Sequence, residues 1–141
     1  MFSLDDKFIF YSKLDENHRA RKIYRHEIGN YKDEDKLIFE EKSEAFTVGI
    51  SLSSDEKYFF ITSSDHNTSE QYYFKADEII PNPKIIDKRK RGIIYSVNSW
   101  NGNFYKHTNE DAEDFKSEKT NDLENKEGET FIPAREAGLI G

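Results

Sequence analysis

A short turn followed by an aromatic strand occurs three times in this chain, and a repeated supersecondary unit leaves few folds open. The copies are Asp5-Asp6-Lys7-Phe8-Ile9-Phe10-Tyr11-Ser12, Asp55-Glu56-Lys57-Tyr58-Phe59-Phe60-Ile61-Thr62 and Asn101-Gly102-Asn103-Phe104-Tyr105-Lys106-His107-Thr108, at intervals of 50 and 46 residues. Each has two small polar turn residues, an aromatic-led strand and a closing hydroxyl. Periods of roughly 40–50 residues with several strands per unit belong to propeller blades and related arrays.

The residues between the copies fill out the units. In the first, Lys22–Ile28 and Leu37–Phe39 have strand composition, separated by turn residues at Asp15–His18 and Gly29-Asn30. In the second, Phe46, Val48, Ile50 and Leu52 alternate with small or polar residues, the period of a strand with one buried face. After the turn and the aromatic strand come Gln71–Lys75 and, beyond Pro81-Asn82-Pro83, Lys84–Asp87. Four antiparallel strands in series make one blade; the first unit lacks only the innermost. The third opens at Ile93–Val97 and turns at Asn101-Gly102, the dipeptide that suits a type I′ hairpin. The expected fold is all-β: a partial β-propeller of about three consecutive antiparallel blades with an irregular C-terminal tail. The units fall near 4–42, 46–88 and 93–116. Residues 117–129, charged and apolar only at Leu123, are expected to form a mobile loop, and 130–141 to start a further, truncated blade.

Composition removes several functions. The formal charge of −7 argues against nucleic acid as a partner. Only 35% of residues are hydrophobic, yet 14% are aromatic, which speaks for sheet and against wholesale disorder. Without cysteine, disulfides, thiol catalysis and cysteine metal sites are excluded. No apolar run resembles a secretory signal or a membrane span, so the expected compartment is the cytoplasm, with no membrane partner. The basic run Lys88-Arg89-Lys90-Arg91 reads as a solvated loop between strands.

Catalytic motifs are absent, and no catalytic, cofactor-binding or metal-ligating residue is assigned. Gly49-Ile50-Ser51-Leu52-Ser53 lacks the second glycine of a nucleophile elbow and lies within an antiparallel strand. No pair among His18, His26, His66 and His107 has metal-ligand spacing, although His18 and His66 occupy comparable loops. Asp65-His66-Asn67-Thr68-Ser69 starts like a calcium loop but has Glu70 where the turn needs glycine and Ala76 where a bidentate glutamate belongs. Trp100 is read either as a recognition residue or as packing over a sheet end. Ser12, Thr62-Ser63-Ser64 and Thr108 are read as channel lining or, preferably, as hydroxyls that satisfy nearby backbone.

Several stretches resemble the oligopeptidase B (protease II) group of the prolyl oligopeptidase family of serine peptidases. They are Phe10–Arg19 with Ile23–His26, Phe46–Ile50 leading into Ile61–Glu70, and Tyr95–Val97 followed by Phe104–Asn109 and Ala112–Phe115. Phe131–Glu136 completes the series. The resemblance implies the middle part of a seven-bladed propeller that covers an α/β-hydrolase domain and admits only short peptides, with cleavage after Arg or Lys. None of that family's catalytic Ser, Asp and His residues can be carried over to this sequence, so the chain alone is expected to be inactive. It reads as a non-catalytic propeller segment, the product of a truncated or split gene. Its partner would be a separately encoded catalytic half. The alternative is an independent interaction module that binds peptide or protein partners.

Overall fold

A computed structural model describes residues 7–29, 35–78, 81–110, 116–120 and 132–133. Every regular element among them is a strand. They are β1 (Phe8–Leu14), β2 (Ala20–Glu27), β3 (Lys36–Glu40), β4 (Thr47–Leu52), β5 (Tyr58–Ser64), β6 (Ser69–Lys75), β7 (Lys84–Asp87), β8 (Tyr95–Trp100), β9 (Asn103–Thr108), β10 (Lys116–Thr120) and β11 (Ile132–Pro133). They form three antiparallel sheets ordered β1-β2-β3, β4-β5-β6-β7 and β8-β9-β10-β11. No described helix is long and apolar enough to cross a membrane.

The sheets stack face to face in chain order. β4 packs on β1 and β2, and β8 packs on β5 and β6 in the same way. This equivalence makes β1 the counterpart of β5 and β2 the counterpart of β6, so among the described residues the first sheet has no counterpart of the inner strand β4. Between the first two sheets lie Phe10, Ile23, Val48, Phe59, Ile61, Phe74 and Ala76. Between the second and third lie Phe60, Tyr73, Tyr95, Val97 and Phe104. The middle sheet is covered on both faces, which is why its central strand β5 carries the continuous buried run Phe59-Phe60-Ile61 while the inner strands β4 and β8 alternate. Ring contacts add orientation to the burial: Phe10 lies 4.9 Å from Phe59, and Tyr58 lies edge-on to Phe104 at 5.0 Å.

The turns follow local chemistry. Asn101 (φ 52°) and Gly102 (φ 81°) both take the left-handed conformation that a type I′ hairpin requires. On the opposite end of the sheets, the Asp15 carboxylate accepts from the N–H groups of Asn17 and Arg19, and Asp65 accepts from those of Asn67 and Thr68. These Asx turns recur 50 residues apart and close the equivalent hairpins β1–β2 and β5–β6.

Two expectations change. Aligning the third copy on its turn pairs Phe104 with Tyr58, but the structure pairs it with Phe59, since both face the preceding sheet while Tyr58 faces the following one. The β4–β5 turn takes Ser53–Lys57 whereas β8–β9 takes only Asn101-Gly102, so counting from the turn slips the register by one and reverses the face. The third sheet also extends further than expected. Lys116–Thr120 pairs with β9, so the stretch expected to be a mobile loop from residue 117 begins as strand. Ile132–Pro133 pairs with β10 as this sheet's outermost strand and does not open a further blade. The remainder of both stretches, 121–131 and 134–141, lies outside the described residues.

Candidate functional site

The polar groups concentrate where the segments between sheets pass from an outer strand to the next inner one. Glu41 follows β3 and is 4% exposed. Its Oε1 accepts from Ser63 Oγ at 2.5 Å and from Arg89 Nη2 at 2.6 Å, and its Oε2 accepts from the Ser43 N–H at 2.9 Å. Arg89 follows β7, the equivalent place one sheet later. Its backbone N–H donates to Glu70 Oε2 at 2.8 Å, its guanidinium approaches Glu70 Oε1 at 3.5 Å, and it lies 4.1 Å over the Phe46 ring. Tyr72 Oη donates to the same Glu70 at 2.7 Å. Two buried carboxylates thus share one guanidinium, which ties both inter-sheet segments to β5 and β6. Burial works to raise the Glu41 carboxyl, but the hydrogen bonds from Ser63, Ser43 and Arg89 outweigh it and hold the group below the usual carboxylate range.

A second cluster fastens the third sheet. Tyr95 Oη accepts from the N–H groups of Gln71 (2.7 Å) and Asp87 (3.2 Å) and donates to the Asp87 carbonyl at 2.5 Å. Burial pushes this phenol well above its ordinary range. Ser69 Oγ exchanges hydrogen bonds with the Tyr95 backbone, and Gln71 Oε1 accepts from the Val97 N–H at 2.7 Å. Buried Lys106 pairs with Asp87 at 2.6 Å above the Tyr95 ring. At the far end, the β4–β5 turn docks on β8: Ser99 Oγ donates to Asp55 Oδ2 at 2.6 Å, and the Asp55 N–H donates to the Ser99 carbonyl. No buried side-chain polar atom among the described residues lacks a partner.

The residues singled out from sequence divide accordingly. Ser51 is exposed on β4, where it pairs with Phe60 of β5. His18 and His66 sit in exposed loops, His26 Nδ1 meets Asp35 at 2.7 Å, and His107 Nδ1 is 3.4 Å from Ser117 Oγ. The four are not gathered, and no group of three or more candidate ligands among the described residues is placed to hold a metal. Asp65 spends Oδ1 on two backbone N–H groups. Of the hydroxyls, Ser63 and Thr108 are fully buried, and they bond Glu41 and the Glu110 N–H. They do not line a channel. The basic run departs from a solvated loop at Arg89, which turns inward. Lys90 pairs with Glu110 at 2.7 Å, while Lys88 and Arg91 are exposed.

What remains accessible near the inner strands is a row of small or polar positions, Thr47, Gly49 and Ser51 on β4 and Ser96 and Asn98 on β8, ending at Trp100. Sequence reasoning missed the Glu41–Arg89–Glu70 cluster. The signal available was an acid at the exit of successive outer strands, Glu41 and Asp87.

Residues 3–141 match the family described as prolyl oligopeptidase, N-terminal β-propeller domain. Protease 2 of Moraxella lacunata is 38% identical over 108 residues, covering 77% of this chain and 16% of that protein. Among solved structures, oligopeptidase B from Trypanosoma brucei, in a closed form with covalently bound antipain, aligns over 90% of this chain and 19% of its own, with TM-score 0.80 and 26% identity. Oligopeptidase B from Leishmania major shares the fold, with TM-score 0.80 and 22% identity over 88% of this chain and 18% of its own. The chain thus spans less than a fifth of the length of these relatives.

Proposed function

Because the chain belongs to the prolyl oligopeptidase family, through its N-terminal β-propeller domain, we propose that it is a non-catalytic propeller segment of an oligopeptidase B-like serine peptidase. In the complete enzyme it gates access of short peptides to an α/β-hydrolase domain. The observation that carries this reading is the offset stacking of the sheets, which leaves a row of small polar residues open along the inner strands β4 and β8. Such a row is suited to a wall past which a peptide moves without being held. The buried cross-sheet clusters keep that wall rigid, and a filter by size needs rigidity. The similarity to Protease 2 of Moraxella lacunata supports the peptidase assignment.

The reading covers a segment working inside a longer polypeptide and one joined to a separately encoded catalytic half, as a truncated or split gene would produce. The setting we propose is cytoplasmic. The test replaces the corresponding part of an oligopeptidase B-like enzyme with this chain and follows hydrolysis of a short Arg-containing peptide. The same peptide sequence, displayed inside a folded protein, serves as the second substrate. The chimera should cleave the free peptide and spare the folded protein, and the chain alone should cleave neither. A chimera that cleaves both equally, or a serine-inhibitor-sensitive activity of the chain alone, refutes the proposal.

A further inference from the structure

Each inner strand lies over the middle strands of the sheet before it, β4 over β1 and β2, β8 over β5 and β6. The side of an inner strand that faces the following sheet therefore stays uncovered. The second sheet shows this directly, because Thr47, Gly49 and Ser51 remain exposed with the third sheet packed in place. In the third sheet the same row is Ser96, Asn98 and Trp100, all exposed. A further sheet seated on β9 and β10 would leave it open for the same reason.

Trp100, the chain's single tryptophan, is 54% exposed and is the one aromatic on a row otherwise small or polar. Its backbone is held on both sides. Asn103 pairs with it across the Asn101-Gly102 turn, and Ser99 before it is clamped by Asp55. An indole presented from a fixed backbone loses little entropy on contact and attracts cations through its ring face. The turn that clamps Ser99 carries Asp55, Glu56 and one offsetting cation, Lys57, a net of −1, and the chain as a whole carries −7. The local field thus favours a positive ligand.

We propose that Trp100 is a contact residue for short cationic peptides, stacking on an arginine or lysine side chain at the end of the inner-strand row. This rests on the reading of that row as the wall of a peptide channel.

The test uses the 141-residue chain at low micromolar concentration, with Trp100 as its own reporter. An amidated pentapeptide with one arginine should change the tryptophan emission saturably, and the same peptide with glutamate in its place should not. By calorimetry, Trp100→Ala should weaken the arginine peptide about fivefold and Trp100→Phe by less, as expected for one exposed cation–π contact. Circular dichroism should show the sheet content unchanged, since the side chain packs outside both cores. Equal affinity of the Ala variant and the parent chain overturns the role of Trp100 and leaves the gating reading intact, because passage by size needs no side-chain contact. Failure of the parent chain to bind the arginine peptide overturns it as well, and the chimera assay then decides the gating reading independently.

Discussion

At the residue scale the most consequential side chain is Arg89. It reaches Glu41 at 2.6 Å and Glu70 at 3.5 Å, and both acids are almost wholly buried. An ion pair of this kind is seldom worth much over an apolar replacement of the whole set, but removal of one member strands the others. Arg89→Ala leaves two carboxylates facing one another without a cation and should cost about 3–5 kcal/mol, read from the urea midpoint. Arg89→Lys should cost less, because it keeps the charge while losing the planar fork. The penalty should also shrink in acid. Glu41 has its pKa depressed in the folded chain, so its stabilisation is complete above the ordinary value of 4.5 and is lost as pH falls through the folded value. Asp55 behaves likewise: burial works to raise it, and hydrogen bonds from Ser53, Ser99 and Lys57 prevail and lower it. The parent chain should therefore lose stability below about pH 4.5, and the gap between it and Arg89→Ala should narrow there. A gap independent of pH would mean that the carboxylates do not mediate the effect.

At the scale of the elements, hairpin geometry decides which face each side chain takes. Gly102 sits at φ 81° with open space around its Cα, so a side chain there meets strain in the backbone and no clash. Gly102→Val should cost about 1–2 kcal/mol, seen as a lower melting temperature, whereas Asn101→Gly should be close to neutral. A valine variant as stable as the parent would show that this turn does not set the register of β8 and β9. The strands themselves were legible in the sequence wherever alternation or an aromatic run was bounded by turn residues, as at β4, β5 and β6. The facing of the third copy was not, because a turn shortened from five residues to two shifts the strand by one position, and the residue pattern shows no trace of that shift. β10 was hidden for another reason. Lys-Ser-Glu-Lys-Thr has no apolar residue, and its pairing with β9 is written in backbone hydrogen bonds to a neighbour. The inward turn of Arg89 was equally invisible, since Glu41 and Arg89 are 48 residues apart and no local signal links them.

At the scale of the whole molecule, the middle sheet has a sheet packed on each face, while among the described residues the first and third have one on a single face only. Propellers protect their sheets by closing radially, so an open stack leaves outer faces and strand edges to other chains. The first sheet's outer row includes Tyr24 and its partner Leu37, which is 49% exposed, and β1 is its edge strand. Apolar groups on an open face next to an edge strand favour association in proportion to protein concentration. The chain studied alone should therefore unfold with a concentration-dependent transition and scatter light on heating from tens of micromolar upward. Introducing a charge on that row, as in Leu37→Lys, should reduce the scattering while leaving the low-concentration midpoint within about 0.5 kcal/mol, since the residue packs outside both cores. Seated within the complete propeller of a chimera, the same segment should lose its concentration dependence, because neighbouring sheets then cover both ends. A sharp, reversible melt of the isolated chain as a monomer, the same at every concentration, would show that three sheets suffice and that closure is not what stabilises them.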